Sequence, residues 1–115
     1  MRDRIKDILL ENIRIKEDIM RNGIENIIEI AELVMAAERK GGKVILFGNG
    51  GSASDSQHIA AELVGRFNKD RIALPAIALT VNTSILTSLA NDYGYDVVFA
   101  RQIEALWQKN DIAIG

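Results

Sequence analysis

Val44-Ile45-Leu46-Phe47-Gly48-Asn49-Gly50-Gly51-Ser52-Ala53-Ser54-Asp55 is the stretch that sets the fold of this 115-residue chain. Four apolar residues in a row, with no polar alternation, suit a strand buried on both faces, as in a parallel sheet. The run ends abruptly at three glycines within four residues, and residues 53 to 66 return to helical spacing through Ile59, Leu63 and Arg66. The local order is therefore strand, glycine-rich turn, helix. Downstream, Asn68-Lys69-Asp70-Arg71 forms a polar connection, and Pro75-Ala76-Ile77-Ala78-Leu79 reads as a second strand, with Pro at the entry where a missing N–H does least harm. Thr83 to Ala90 reads as helix, Asn91-Asp92-Tyr93-Gly94 as a turn, and Val98 to Gln108 as a helix carrying Phe99, Ile103 and Leu106. Asn110-Asp111 is again a turn, and Ile112-Ala113-Ile114-Gly115 opens a third strand.

Upstream, Gly41-Gly42 breaks a helical region. Residues 1 to 40 hold 8 of the 14 basic and 9 of the 16 acidic residues, interleaved with Ile and Leu. Ile5, Ile8, Leu9 and Ile13 fall at helical spacing, and Ile24, Ile27, Ile28, Ala31, Val34 and Met35 resume it beyond an interruption at Asn22-Gly23. Two amphipathic helices are predicted. Their stripes fit packing against the rest of the chain or against a second copy of it, and periodicity does not say which.

Strands alternating with helices predict an α/β fold, a doubly wound parallel sheet with right-handed crossovers. Such a sheet normally has about 5 to 6 strands. Three are too few, so residues 41–115 are expected to be the N-terminal part of a sheet domain, preceded by a helical pair over residues 1–40.

Composition narrows the function. With 14 Lys plus Arg against 16 Asp plus Glu, the net charge of −2 gives no basic footprint for nucleic acid. No apolar run approaches the roughly 20 residues of a bilayer crossing, and Met1-Arg2-Asp3-Arg4-Ile5-Lys6-Asp7 is too polar for a signal peptide. A cytoplasmic protein without a membrane partner is expected. The absence of Cys excludes disulfides, zinc ribbons and thiol nucleophiles, leaving His58, the only His, and the carboxylates as metal ligands.

The glycine-rich turn is the main chemical signal. Glycines allow positive φ and close backbone approach, and the N–H groups and dipole of the following helix start favour phosphate or carboxylate. Ser52 and Ser54 add hydroxyl donors. The competing structural explanation is a tight turn followed by a Ser52-x-x-Asp55 capping box. A Walker loop is ruled out, since no Lys lies between Lys43 and Lys69. Gly48, Gly50 and Ala53 satisfy G-x-G-x-x-A, but Leu79 to Ser84 offers no acidic residue for a ribose, so a dinucleotide role is weakly supported. Further on, Asp55, His58, Glu62 and Arg66 recur at helical spacing and are predicted to share one side of the helix. They could place an imidazole and a carboxylate on one ion or substrate, or form only an exposed Glu62–Arg66 pair. Asn91-Asp92 could reach the same crevice, or could be a plain Asx turn.

Taken in order, Gly48-Asn49-Gly50-Gly51-Ser52, Asp55, His58, Glu62, Gly65-Arg66, Pro75-Ala76-Ile77-Ala78 and Asn91-Asp92-Tyr93-Gly94 resemble the phosphoheptose isomerase branch of the sugar isomerase (SIS) domain family. The resemblance runs from about Gly41 to Gly115, and the helical pair is in character for the branch. It implies a flavodoxin-like sheet, a homotetramer built partly through the N-terminal helices, and conversion of sedoheptulose 7-phosphate to D-glycero-D-manno-heptose 7-phosphate for surface-polysaccharide precursors. By position, Asn49, Gly50, Gly51, Ser52, Asn91 and Asp92 would bind the sugar phosphate. His58 and Glu62 match two ligands of a zinc ion, Glu62 also matches the catalytic base, and Arg66 a supporting pocket residue. The family's second phosphate loop, and the Gln and His that complete its metal site, have no counterpart here. These 115 residues by themselves are therefore expected neither to isomerise sugar phosphates nor to hold zinc tightly. Asn82 stands where relatives often carry Asp, and Trp107 where many carry Gly. The resemblance also extends to a non-catalytic SIS protein that binds a phosphosugar or a replication-initiator protein.

Overall fold

A computed structural model describes all residues, Met1 to Gly115. The chain divides into two compact units, Met1–Leu33 and Val34–Gly115. The division falls seven residues ahead of the Gly41 boundary read from the sequence, because Val34 packs against the sheet's core and Ala37 is buried.

The first unit is helical. Helix α1 spans Arg2–Asp18, and α2, spanning Ile24–Arg39, begins in this unit. The interruption expected at Asn22-Gly23 is not a break: Ile19–Gly23 is a π-helical turn flanked by residues with right-handed helical angles. Gly23 keeps a negative φ, the Asn22 amide donates to Asp18 Oδ1 at 2.7 Å, and a mid-helix glycine costs only about 1 kcal/mol. The apolar stripe, including Ile5, Ile8, Leu9 and Ile13, is exposed.

The second unit holds a parallel sheet. Helix α2 ends with paired bonds from Gly41 N–H to Glu38 O and from Gly42 N–H to Ala37 O, both at 2.9 Å, a C-terminal lock that stops the helix where the glycine pair predicts. Strand β1 (Val44–Leu46), helix α3 (Gly51–Val64), strand β2 (Ala76–Ala78), helix α4 (Thr83–Tyr93), a 3₁₀ turn (Tyr95–Val97), helix α5 (Val98–Leu106) and strand β3 (Ile112–Ile114) follow. The sheet order is β2-β1-β3, with Val44 in register with Ala76 and Ile112. All pairs are parallel, as the unbroken apolar run of β1 predicts.

Both faces of β1 are covered. Val44 and Leu46 pack with Ala60 of α3 and Ala78, supported by Val34 of α2 and Leu63 of α3. Alternation sends Ile45 and Phe47 to the opposite face, where the Phe47 and Phe99 rings lie 5.4 Å apart. There the buried Gln102 amide of α5 donates to Leu79 O at 3.1 Å. This is double winding in three strands.

Several boundaries differ from expectation. Helix α3 stops at Val64, so Arg66 lies beyond its end. Asn91 and Asp92 sit in the last turn of α4 and not in a free turn, since α4 continues to Tyr93. Helix α5 ends at Leu106, two residues early, where Trp107 turns to extended backbone. That conformation needs no glycine, which accounts for a Trp there. The Asn82 side chain accepts from Ile85 N–H at 3.1 Å and caps α4, a role Asn and Asp fill equally.

Candidate functional site

Strand order places the glycine-rich loop. With β2 on one side of β1 and β3 on the other, the chain reverses its direction of winding at the carboxyl end of β1, the position where open parallel sheets form their ligand crevice. Residues 47–50 leave β1 there and α3 begins at Gly51.

Two glycines are required by geometry. Gly50 adopts φ 55° and ψ −119°, which side chains resist. A Cβ on Gly48 would lie 2.7 Å from Ser52 Cβ and 3.1 Å from the Ser52 carbonyl carbon, so the loop closes tightly onto the first turn of α3. Because Gly50 is the cap residue, no side chain caps α3. The Ser52–Asp55 capping box is thus overturned: Ser52 lies inside the first turn, and its carbonyl accepts from Ser56 Oγ at 2.7 Å. The helix start keeps its unsatisfied amide donors, which face an anion favourably. Asn49, Gly50, Gly51 and Ser52 are all exposed, so the loop is open to a ligand.

Farther along α3, Asp55, His58 and Glu62 share one face. His58 Nε2 lies 3.4 Å from Glu62 Oε1, with the His58 side chain 74% exposed and Glu62 33%. The two line an open groove of about 470 Å³ with Ile59, Leu63, Phe67 and Arg71. Arg66 is exposed and does not join this face, because Gly65 closes the helix with φ −84° and ψ −110°. Asn91 donates to Asp92 Oδ1 at 2.9 Å, so these two exposed side chains bond to each other.

His58 and Glu62 suit a divalent cation in type, a ring nitrogen and a carboxylate oxygen one helical turn apart. They are two donors, and no group of three metal-ligating side chains comes together in the chain. Zinc ordinarily takes three or four protein ligands. The pair by itself supplies two donors of a type that suits such an ion.

Sequence reasoning missed three residues, two at the site and one, Asp111, at the opposite, amino end of the sheet. Arg71, assigned only to a polar connection, folds back onto the end of α3 and donates to Glu62 O at 2.7 Å, Leu63 O at 2.8 Å and Gly65 O at 3.4 Å. Tyr95 donates its hydroxyl to Asn49 Oδ1 at 2.6 Å across 46 positions of sequence. Asp111, read as a turn residue, has a side chain only 1% exposed that accepts from Lys43 N–H at 2.9 Å and Gln108 N–H at 2.8 Å and pairs with the Lys43 ammonium. Burial pushes the Asp111 carboxyl up, but the Lys43 side-chain bond and the backbone N–H donors outweigh it and hold it below the usual 3.8. An arginine closing a four-residue polar connection, or a tyrosine after a glycine, carries no periodic signal that could have revealed these partnerships.

A parallel sheet whose switch point carries an uncapped glycine loop, with a His–Glu pair along the same helix, defines a doubly wound α/β domain with an open site at the end of its central strand. The chain belongs to the SIS domain family, whose model matches residues 10–115. It is 52% identical over 115 residues to the phosphoheptose isomerase of Aquifex aeolicus, covering 100% of this chain and 60% of that protein. Against the phosphoheptose isomerase of Clostridium acetobutylicum it is 54% identical over 117 residues, covering 100% and 60%. Its fold is similar to the structure of phosphoheptose isomerase GmhA from Neisseria gonorrhoeae, with TM-score 0.90, 39% identity and coverage of 99% of this chain and 59% of that one. A phosphoheptose isomerase from Francisella tularensis gives TM-score 0.91 at 33% identity, covering 96% and 58%. The chain thus spans about 60% of the length of the relatives it matches.

Proposed function

We propose that these residues form the phosphate-binding and base-bearing part of an aldose–ketose isomerase that converts sedoheptulose 7-phosphate to D-glycero-D-manno-heptose 7-phosphate. The observation that carries this is the arrangement along α3: an uncapped glycine loop at its start and the His58–Glu62 pair about two turns on. At 1.5 Å per residue, Gly51 and His58 are roughly 10 Å apart along the axis. One ligand can hold its phosphate at the loop while its carbonyl end lies at the pair. Identity above 50% to phosphoheptose isomerases supports that substrate.

Isomerisation moves a proton between adjacent carbons through an enediol. Asn49 and the amides of Gly50, Gly51 and Ser52 hold the phosphate, with Asn91 and Asp92 as further binding residues. The Glu62 carboxylate takes the proton from the carbon beside the carbonyl, and the resulting enediol is reprotonated on its neighbour. Arg71, bonded to the Glu62 carbonyl, fixes the turn of α3 that carries this base. His58 and Glu62 would contribute two ligands to a zinc ion, which when bound supplies charge stabilisation for the developing oxyanion. The exposed apolar stripe of α1 supports association of several copies, a homotetramer in this reading. No helix is long and apolar enough to cross a membrane. A charged sugar phosphate does not cross bilayers unaided, which supports a cytoplasmic site of action and a role in surface-polysaccharide precursor synthesis.

The test is Glu62→Gln in the purified full-length protein, assayed for turnover of sedoheptulose 7-phosphate and, separately, for its binding. Turnover should fall by at least about 100-fold while binding persists. Undiminished turnover removes Glu62 from the base role. Binding without turnover in the unmodified protein favours a non-catalytic phosphosugar binder.

A further inference from the structure

We infer that Tyr95 is a positioning residue for the phosphate loop: its hydroxyl grips the oxygen of the Asn49 amide, so that the amide's two N–H donors are held toward the bound anion. The inference rests on the phosphate-binding reading of residues 49–52. Tyr95 opens the 3₁₀ turn after α4, and its hydroxyl reaches Asn49 Oδ1 at 2.6 Å, short for an O–H···O bond. An amide has one accepting end and one donating end. With the accepting end engaged by a phenol, the donating end faces away from it, and Asn49 becomes a directed donor beside the free amides of the helix start.

Stability does not explain the bond. Tyr95 is 57% exposed and Asn49 is also exposed, so both groups would be hydrated without it and its net worth to folding is small. Orientation is what it supplies. Asn49 lies exposed in the loop beside Gly50, and without a partner its side chain would sample several rotamers. Tyr95 also follows Gly94, which leaves α4 with φ 94°. The bond thereby joins the segment after Asn91-Asp92 to the loop, linking two stretches assigned to the same ligand.

The experiment compares Tyr95→Phe, Asn49→Ala and the double variant in the full-length protein, with steady-state turnover of sedoheptulose 7-phosphate, competition by inorganic phosphate, and thermal melting. Tyr95→Phe should raise KM and the inhibition constant for phosphate roughly three- to tenfold, the value of one ordinary hydrogen bond. The turnover number should stay within about twofold and the melting temperature within about 1 °C, since the group is exposed. On the Asn49→Ala background, Tyr95→Phe should add nothing, because the amide it orients is gone. If Asn49→Ala raises KM and Tyr95→Phe does not, or if the two effects simply add, Tyr95 does not act through Asn49. If neither variant alters KM or phosphate inhibition, the loop is not the phosphate site and the assignment of Tyr95 falls with it.

Discussion

Asp111→Asn isolates one buried interaction that ties together the entries of two neighbouring strands, β1 and β3. The carboxylate bridges Lys43, just ahead of β1, and Gln108, in the turn leading to β3. Asn is isosteric, but its NH₂ would face one of the donors that the second carboxylate oxygen now accepts, and the Lys43 ammonium would lose its counter-charge. Removing one partner of a buried ion pair costs about 3 to 5 kcal/mol. Lys43 is 22% exposed and can turn partly to water, so the lower end applies, about 3 kcal/mol. In urea, with a slope of about 1–3 kcal/mol/M, the unfolding midpoint should drop by about 1 M or more at unchanged slope. The pH dependence has a definite sign. A carboxyl held below its ordinary value contributes stability above the unfolded value of 3.8, and loses it as pH falls through the lower folded value. The gap between wild type and variant should therefore be constant from pH 7 to about 5 and shrink below 3.8. A midpoint shift under about 0.3 M at pH 7, or a gap that widens on acidification, would refute the assignment.

Two further outcomes follow from the site. Gly48→Ala places a methyl 2.7 Å from Ser52 Cβ, so the loop must open; stability should drop by about 1–3 kcal/mol, and phosphosugar affinity measured by calorimetry should weaken disproportionately. Arg71→Ala removes the guanidinium that satisfies the Glu62 and Leu63 carbonyls; a loss of about 1–2 kcal/mol should come with faster amide exchange confined to the last turn of α3, and uniform protection there would count against the capping role.

Much of the second unit was legible in the residues. The apolar run from Val44 suits a strand buried on both faces, and the glycines after it suit a sharp exit into a helix, as found in β1 and α3. Such features are local, set by backbone sterics and by apolar spacing over a few residues. The same is true of the His58–Glu62 pair, since one helical turn brings positions four apart together whatever the rest of the chain does. Boundaries were less legible because ends are decided by partners. Gly65 turns the chain out of α3 after Val64, and Arg71, from a separate segment, reaches back to the open carbonyls there. Nor does Asn22-Gly23 break its helix, because a short side chain bonding one turn back and a glycine at negative φ are both compatible with continued winding.

Three-dimensional packing alone decided which strand lies between the others, and hence that the glycine loop emerges at the point where the winding reverses. It alone brought Tyr95 to Asn49 and Asp111 to Lys43, partners 46 and 68 positions apart. Spacing along a chain encodes neighbours on one helix or one strand. Hydrogen bonds between distant segments depend on how the elements stack, and a single tyrosine or aspartate in a turn looks the same in sequence whether it faces water or holds the fold and its ligand loop in place.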